Sequence, residues 1–177
     1  IFSMPLIEGD PRTALIEPNT VVISEKMAQK YFGSTTGVVG RTLRINEHSD
    51  RRITGVMQNI PAQSHFHYDF LFSMSTVEEG NNDMWLSNNF QTYLLLRPGA
   101  SAAQFPAYFK EITEKYLRPQ FDRITGSTLT AFEATGDFMK YSLQNIRDIH
   151  LYSDRGGEHE ANSDIKYVWI SGAVAPT

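Results

Sequence analysis

The chain has 177 residues, of which 41% are hydrophobic and 20% are charged, with a formal net charge of −4 and no cysteine. That length suits one domain or two small subdomains, and it is sufficient to bury a hydrophobic core. The lack of cysteine excludes disulfides, thiolate zinc sites and a cysteine nucleophile, and an acidic chain without a basic block argues against a nucleic-acid partner.

The first predicted element is a strand within residues 1–7, followed by turns at residues 8–11 and 17–19. Ile1-Phe2-Ser3 has the features neither of a natural start nor of a signal peptide, so we expect an excised piece of a longer protein. Thr20-Val21-Val22-Ile23 is rich in β-branched residues and predicts a second strand.

A short helix is predicted directly after that strand. Ser24 is placed to cap its first turn, and Gly33 is placed to end it in the left-handed conformation. The helical spacing puts four apolar residues on one core-facing stripe, namely Met27, Ala28, Tyr31 and Phe32.

Residues 33–42 superficially resemble a phosphate-binding loop. Thr35 stands where the first glycine belongs, and Arg41 replaces the lysine. The segment also follows a helix instead of preceding one, so no helix N-terminus would point at a phosphate. We therefore predict no nucleotide site.

A hairpin is predicted next, with strands at residues 41–45 and 51–57 around a five-residue loop at 46–50, and with Leu43, Ile45 and Ile53 facing the core. Strict alternation then predicts a strand whose large apolar side chains share one side, namely Phe66, Tyr68, Phe70, Phe72 and Met74.

The opposite side of that predicted strand would carry His65, His67 and Asp69. Two imidazoles and a carboxylate on alternate residues can chelate zinc, although no fourth ligand is visible. The other interpretation is a hydrogen-bonding surface or turn role, and we favour it, so no catalytic or metal-binding residue is assigned.

The second half of the chain predicts a surface loop or short helix at residues 77–86 anchored by Trp85, and then a buried strand at 90–97. A helix follows at 105–117, beginning near Phe105 and ending before Pro119, with a core-facing stripe of Phe105, Tyr108, Phe109, Ile112 and Tyr116. Short strands at 128–132 and 140–144, a helical turn at 146–151 and a loop at 153–164 complete this half. The order of strand, helix and strand predicts a βαβ-type unit.

Residues 167–175 are nearly uncharged. A membrane span needs about 20 such residues, so the run alone is compatible either with a buried strand or helix or with a truncated transmembrane helix.

Several phrases in a fixed order resemble the extracytoplasmic core domain of MacB-type and FtsX-like ABC transporter permeases, in the form common in Bacteroidetes. They are Leu6-Ile7-Glu8-Gly9-Asp10-Pro11, residues 19–33, Gly40-Arg41-Thr42-Leu43, Ile53-Thr54-Gly55-Val56, Ser64-His65-Phe66, Tyr68-Asp69-Phe70 and Asp148-Ile149-His150-Leu151. Together the phrases extend over most of the chain.

The resemblance implies an α+β fold in two subdomains. A strand-rich insertion would occupy residues 18–75, and a βαβ-type, membrane-proximal subdomain would use residues 1–17 and 88–151. Residues 165–177 would begin a truncated transmembrane helix, the second of the permease.

The resemblance also implies a non-catalytic periplasmic domain, without cofactor, in a permease of the inner membrane. Its partners would be a second copy of the permease, an ATP-binding subunit or domain on the cytoplasmic side, and a periplasmic adaptor or exported cargo. The domain would couple ATP-driven membrane movement to that partner, as in efflux and mechanotransmission. The alternatives are a ligand-binding sensor ectodomain and a zinc hydrolase that uses His65, His67 and Asp69.

Overall fold

The structure, a computed structural model, describes residues 2–46, 48–64, 66–87, 89–136, 141–152 and 166. The chain divides into two compact units, the first from Phe2 to Asp83 and the second from Met84 onward. The first unit is built on a β-sheet, and the described part of the second unit is built on helices.

The described residues of the first unit form a five-stranded mixed sheet. Its strands are β1 (Leu6–Gly9), β2 (Thr20–Ser24), β3 (Thr42–Ile45), β4 (Ser49–Met57) and β5 (Phe70–Phe72). The long β4 lies in the centre: β2 pairs parallel to it on one edge, while β3 and β1 pair antiparallel along successive parts of the other edge. β5 pairs antiparallel with the outer edge of β2.

Helix α1 (Glu25–Phe32) follows β2 directly and begins and ends where the sequence predicts. The Ser24 hydroxyl accepts a hydrogen bond from the Met27 amide, and Gly33 ends the helix with φ 69°. Met27 and Ala28 are buried, but Tyr31 is 52% exposed, so the predicted core stripe is wrong at that residue. Of the four residues in the predicted stripe, Met27 and Ala28 are in the core, Phe32 packs against it, and Tyr31 does not.

Both faces of the sheet are covered by apolar packing. On the α1 face, the core consists of Val21, Ile23, Met27, Ala28, Val38, Ile53 and Val56. On the other face, Ala14, Val22 and Met57 are buried beneath partly buried side chains, among them Met4, Leu6, Leu15, Ile60 and Leu71. β2 contributes to both faces and is buried along its whole length, which explains its run of consecutive apolar residues.

Three predictions for this unit need correction. The first strand is Leu6–Gly9, because residues 8 and 9 pair with β4 instead of turning. The hairpin loop is shorter than predicted, since Ser49 pairs with Ile45. The aromatic strand is limited to Phe70–Phe72, and the chain enters a 3-10 turn at Met74–Thr76.

The second unit contains α2 (Phe105–Ile112), a π-helical turn (Thr113–Leu117), α3 (Arg118–Thr125), α4 (Leu129–Ala134) and α5 (Ile149–Tyr152). Its core cluster consists of Leu117, Phe121 and Leu129, with Leu86, Phe132 and Tyr141 packed against it. The helix predicted to begin at Phe105 is confirmed, and so is the helical turn at 146–151.

Pro119 does not end that helix. The π-helical turn carries the chain into α3, where Pro119 occupies the first turn and needs no intrahelical N–H partner. The predicted stripe is not the core, because Tyr108 is 57% exposed and α2 has no fully buried residue. The buried side chains come from the following turns instead.

The strands predicted at residues 90–97 and 128–132 are wrong for the described chain. Residues 91–97 belong to no strand, and Leu95 is 77% exposed, because no sheet partner lies beside them in the part of the chain that the structure describes. Thr128 caps α4 by accepting a hydrogen bond from the Ala131 amide, so residues 129–132 are helical. Residues 141–144 form no strand, and residue 140 lies outside the described residues.

The α+β class is confirmed. The βαβ-type arrangement and the limits of the subdomains, residues 18–75 and residues 1–17 with 88–151, stay predictions, although β1 here joins the sheet of the first unit. The predicted transmembrane segment at 165–177 and the loop at 153–164 lie outside the described residues, apart from Lys166. Among the helices in the described ranges, none has the length and apolar character needed to span a bilayer.

Candidate functional site

The residues of the hypothetical zinc site take part in other contacts where the structure describes them. Asp69 Oδ1 accepts a 2.7 Å hydrogen bond from the Ser24 hydroxyl, and Asp69 Oδ2 lies 3.5 Å from Lys26 Nζ. His67 Nε2 lies 3.0 Å from the carbonyl oxygen of Ala62. His65 lies outside the described residues, so the zinc site stays a hypothesis.

Asp69 belongs to a network that holds the start of α1. The Ser24 hydroxyl accepts a hydrogen bond from the Met27 amide and donates one to Asp69, so the cap is itself fixed by the residue that precedes β5. Asn59 joins from the end of β4: its Oδ1 accepts from the Lys26 amide at 3.0 Å, and its own N–H donates to Glu25 Oε2 at 3.0 Å. These bonds satisfy amide groups that a helix start leaves without partners.

A second carboxylate, that of Glu8 in β1, holds the loop between α1 and β3. It accepts hydrogen bonds from the amides of Gly37, Val38 and Val39 at 3.0, 3.0 and 3.4 Å. Gly37 has φ 67°, which aims successive amides at one point. The same loop buries Val38 completely in the core. Glu8 therefore fixes this loop on the sheet.

A cleft of about 370 Å³ lies on the face of the sheet opposite α1, between the 9–17 turn and Val39. Three of its polar side chains are already bonded within the protein. Arg52 pairs with Glu17, the Thr54 hydroxyl donates to the carbonyl of Ala14, and the Thr20 hydroxyl donates to the carbonyl of Glu17. A small-molecule site usually presents converging polar groups to its ligand, and these groups are occupied.

The α1 face carries a different kind of surface around the end of the helix. Phe32 packs against the core, and the Arg41 guanidinium lies over its ring, 5.4 Å from the centroid. Lys30 and the exposed Tyr31 precede Phe32 in the last turn, and Arg51 lies on the same face of β4 as the buried Ile53. We call Lys30, Tyr31, Arg41 and Arg51 the cationic surface.

In the second unit, Tyr116 contacts both an aromatic ring and a cation. The Trp85 ring stacks on it with centroids 4.5 Å apart, and Lys115 Nζ lies over its ring, 4.9 Å from the centroid. The Trp85 amide also donates to Gln120 Oε1 at 2.9 Å. Trp85 thus anchors its loop, as the sequence predicts, by contact with the π-helical turn and α3.

Exposed ion pairs give the clearest electrostatic effects. The hydrogen bonds from Arg44 hold the pKa of Asp50 below its ordinary value, and those from Arg118 do the same to the pKa of Glu114. Burial raises the pKa of the Tyr141 hydroxyl. These shifts arise from surface pairing and from packing, and none of them marks a general acid or base in a cavity.

Sequence reasoning missed Glu8, Asn59 and the cationic surface. The contacts of Glu8 and Asn59 join residues about 30 positions apart, so no local pattern reveals them. The sequence offered one signal for the loop that Glu8 binds: Gly37 and Gly40 indicate a tight loop, but they do not identify the carboxylate that holds it.

The comparisons with known proteins agree with this fold. The sequence profile of the MacB-like periplasmic core domain family matches residues 1–112. The chain belongs to the MacB-like periplasmic core domain family. The predicted family relationship is therefore confirmed, and it covers the first unit together with α2.

A crystal structure of a domain from Porphyromonas gingivalis, described as coming from a permease protein, is similar to this periplasmic core domain. The two share 29% sequence identity with a TM-score of 0.53 over 64% of this chain and 52% of that one. The chain thus spans about half the length of the similar domain. No curated protein matches the chain.

Proposed function

We propose that this chain is a non-catalytic periplasmic part of an ABC transporter permease, and that it couples ATP-driven movement of the membrane helices to a periplasmic adaptor or an exported cargo. The observation that carries the proposal is the family match over residues 1–112. The permease would lie in the inner membrane, act with a second copy of itself and receive ATP-derived motion from a cytoplasmic subunit or domain.

The use of the polar residues supports a mechanical role. Asp69, Asn59 and Glu8 bind backbone amides or a capping hydroxyl, so they fix α1 and its following loop to the sheet. Such bonds between distant segments make the first unit suitable for transmitting force as one body. A sensor would instead need a pocket with free polar groups, whereas Thr20, Arg52 and Thr54 in the 370 Å³ cleft are bonded within the protein.

The test uses the full-length permease with its ATP-binding partner, reconstituted in lipid bilayers. Residues 2–152 are replaced by a short flexible linker, and ATP hydrolysis and cargo release are measured separately. We expect hydrolysis to continue and release to be lost, because the sequence predicts no nucleotide site in the removed part. Release that survives the deletion would contradict the proposal, and so would a hydrolytic activity of the removed domain itself.

A further inference from the structure

The lysines and arginines of the first unit fall into two groups. Four of the seven form ion pairs with carboxylates, namely Arg12, Lys26, Arg44 and Arg52. The other three, Lys30, Arg41 and Arg51, form no ion pair with any residue in the described ranges. These three side chains therefore carry charge that no carboxylate in the described ranges neutralises.

Arg41 and Arg51 lie on the face of the sheet that α1 covers, and Lys30 lies in α1 itself. Arg41 directly precedes β3, and Ile53 in β4 donates its N–H to the carbonyl of Arg41, so the two residues lie opposite each other. Arg51 is two residues before Ile53 in β4 and therefore points to the same side, which α1 covers at Ile53. Lys30 lies in the last turn of α1, whose final residue Phe32 lies beneath the Arg41 guanidinium.

The guanidinium groups of the two arginines are held in place by neutral contacts. Arg41 stacks on Phe32, and Arg51 donates from Nη1 to Asn19 Oδ1 at 3.0 Å. Neither contact neutralises the charge, and each leaves other N–H groups of the planar fork available to a carboxylate. The entropic cost of ordering these long side chains for binding is therefore reduced before a ligand arrives.

Tyr31 supplies an apolar element beside the cations. It occupies a helix position that predicts burial, yet it is 52% exposed. Tyrosine and arginine are the residues most enriched where protein interfaces bind strongly, since each combines apolar area with hydrogen bonding.

We propose that the cationic surface binds an acidic segment of a periplasmic protein, with carboxylates on Arg41 and Arg51 and an apolar side chain against Tyr31. This inference deepens the proposed function and rests on it. Carboxylates are the groups that the guanidinium fork binds in a bidentate manner, and the surface lacks any such partner in the described part of its own chain.

The test measures binding of two fluorescent peptides to the full-length permease in nanodiscs by anisotropy. One peptide alternates glutamate with phenylalanine, and the other has lysine in place of each glutamate. We expect only the acidic peptide to bind, with an affinity that falls at least roughly ten-fold at high salt, because salt screens exposed charge pairs.

The informative variant is the double substitution Arg41→Glu/Arg51→Glu, and its control is Arg12→Glu/Arg44→Glu, which makes the same change in charge at exposed, paired arginines. We expect a loss of at least about ten-fold in affinity for the first variant alone. Equal losses in both variants, or equal binding of the lysine peptide, would overturn the proposal. Binding of phosphatidylglycerol vesicles without binding of the acidic peptide would also overturn it, in favour of a lipid surface.

Cargo release measured in the same variants separates this inference from the proposed function. If the acidic peptide fails to bind while cargo release is intact, only the binding role of the cationic surface is overturned. If release survives deletion of the domain, the coupling proposal is overturned instead.

Discussion

Ser24 donates a 2.7 Å hydrogen bond to the carboxylate of Asp69, which lies 45 residues further along the chain. The bond connects the residue that caps α1 with the residue immediately before the edge strand β5. Ser24 is 1% exposed, so its hydroxyl has no access to water as an alternative partner.

Asp69→Ala is expected to lower the free energy of unfolding by about 1–3 kcal/mol, because it leaves the buried Ser24 hydroxyl without its acceptor. Urea denaturation of the chain measures the effect. Glu79→Ala, at an exposed carboxylate, is the matched control and should stay within about 0.5 kcal/mol of the parent. Equal stability of the two variants would mean that Asp69 is only a surface residue.

Gly9 and Gly33 both have positive φ, 101° and 69°, but only one has space for a side chain. A Cβ at Gly9 would collide with the carbonyl oxygen of Thr54, whereas a Cβ at Gly33 would meet nothing within 4 Å. We therefore expect Gly9→Ala to cost about 3 kcal/mol or more, and Gly33→Ala only about 1–2 kcal/mol, in unfolding free energy. The order of the two midpoints in urea checks the prediction, and a reversed order would refute the β1–β4 register.

Phe32 and Tyr31 are adjacent aromatic residues with different surroundings. Phe32 packs against the core and carries Arg41 on its ring, while Tyr31 is 52% exposed. Phe32→Ala should cost about 2 kcal/mol, less than a fully buried phenylalanine, and Tyr31→Ala about 0.5 kcal/mol. Thermal denaturation compares them. A larger loss for Tyr31→Ala would place Tyr31 in the core and remove it from the cationic surface.

Asp50 should titrate below the ordinary range of an aspartate, because the hydrogen bonds from Arg44 hold its pKa down. A group whose pKa is lower in the folded state contributes stability above its unfolded pKa, and that contribution is lost as the pH falls through the folded value. NMR titration of the carboxyl carbon measures the pKa directly. Arg44→Gln should raise it toward the ordinary value, and an unchanged pKa in that variant would show that the pair does not persist in solution.

The predictions from sequence succeed where the signals are local. Ser24 and Gly33 lie next to the turns that they cap, so residue type and spacing suffice to place α1. Residues 90–97 have the composition of a buried strand, but a strand also needs a neighbour, and none lies beside them in the described ranges. Residues 129–132 also have side chains that suit a strand, but they form a helix, which the side chain of Thr128 caps.

The candidate site was less predictable than the fold. Asp69 was named as a ligand of the alternative zinc site, whereas in the structure its carboxylate binds Ser24, which sequence spacing does not bring near it. The cationic surface depends on β3, β4 and α1 meeting at one place. That meeting follows from the sheet register, which a single sequence does not specify.

The proposed coupling requires this domain to move when the permease hydrolyses ATP. The chain has no cysteine, so in a full-length permease freed of any cysteine outside this chain, Glu79→Cys gives each copy a single, exposed attachment point for a spin label. Pulsed electron resonance then measures the distance between the two labels with ATP bound and after hydrolysis to ADP. If the domain couples hydrolysis to movement, we expect two distinct distance distributions. An identical distribution in both states, with hydrolysis proceeding normally, would refute the coupling.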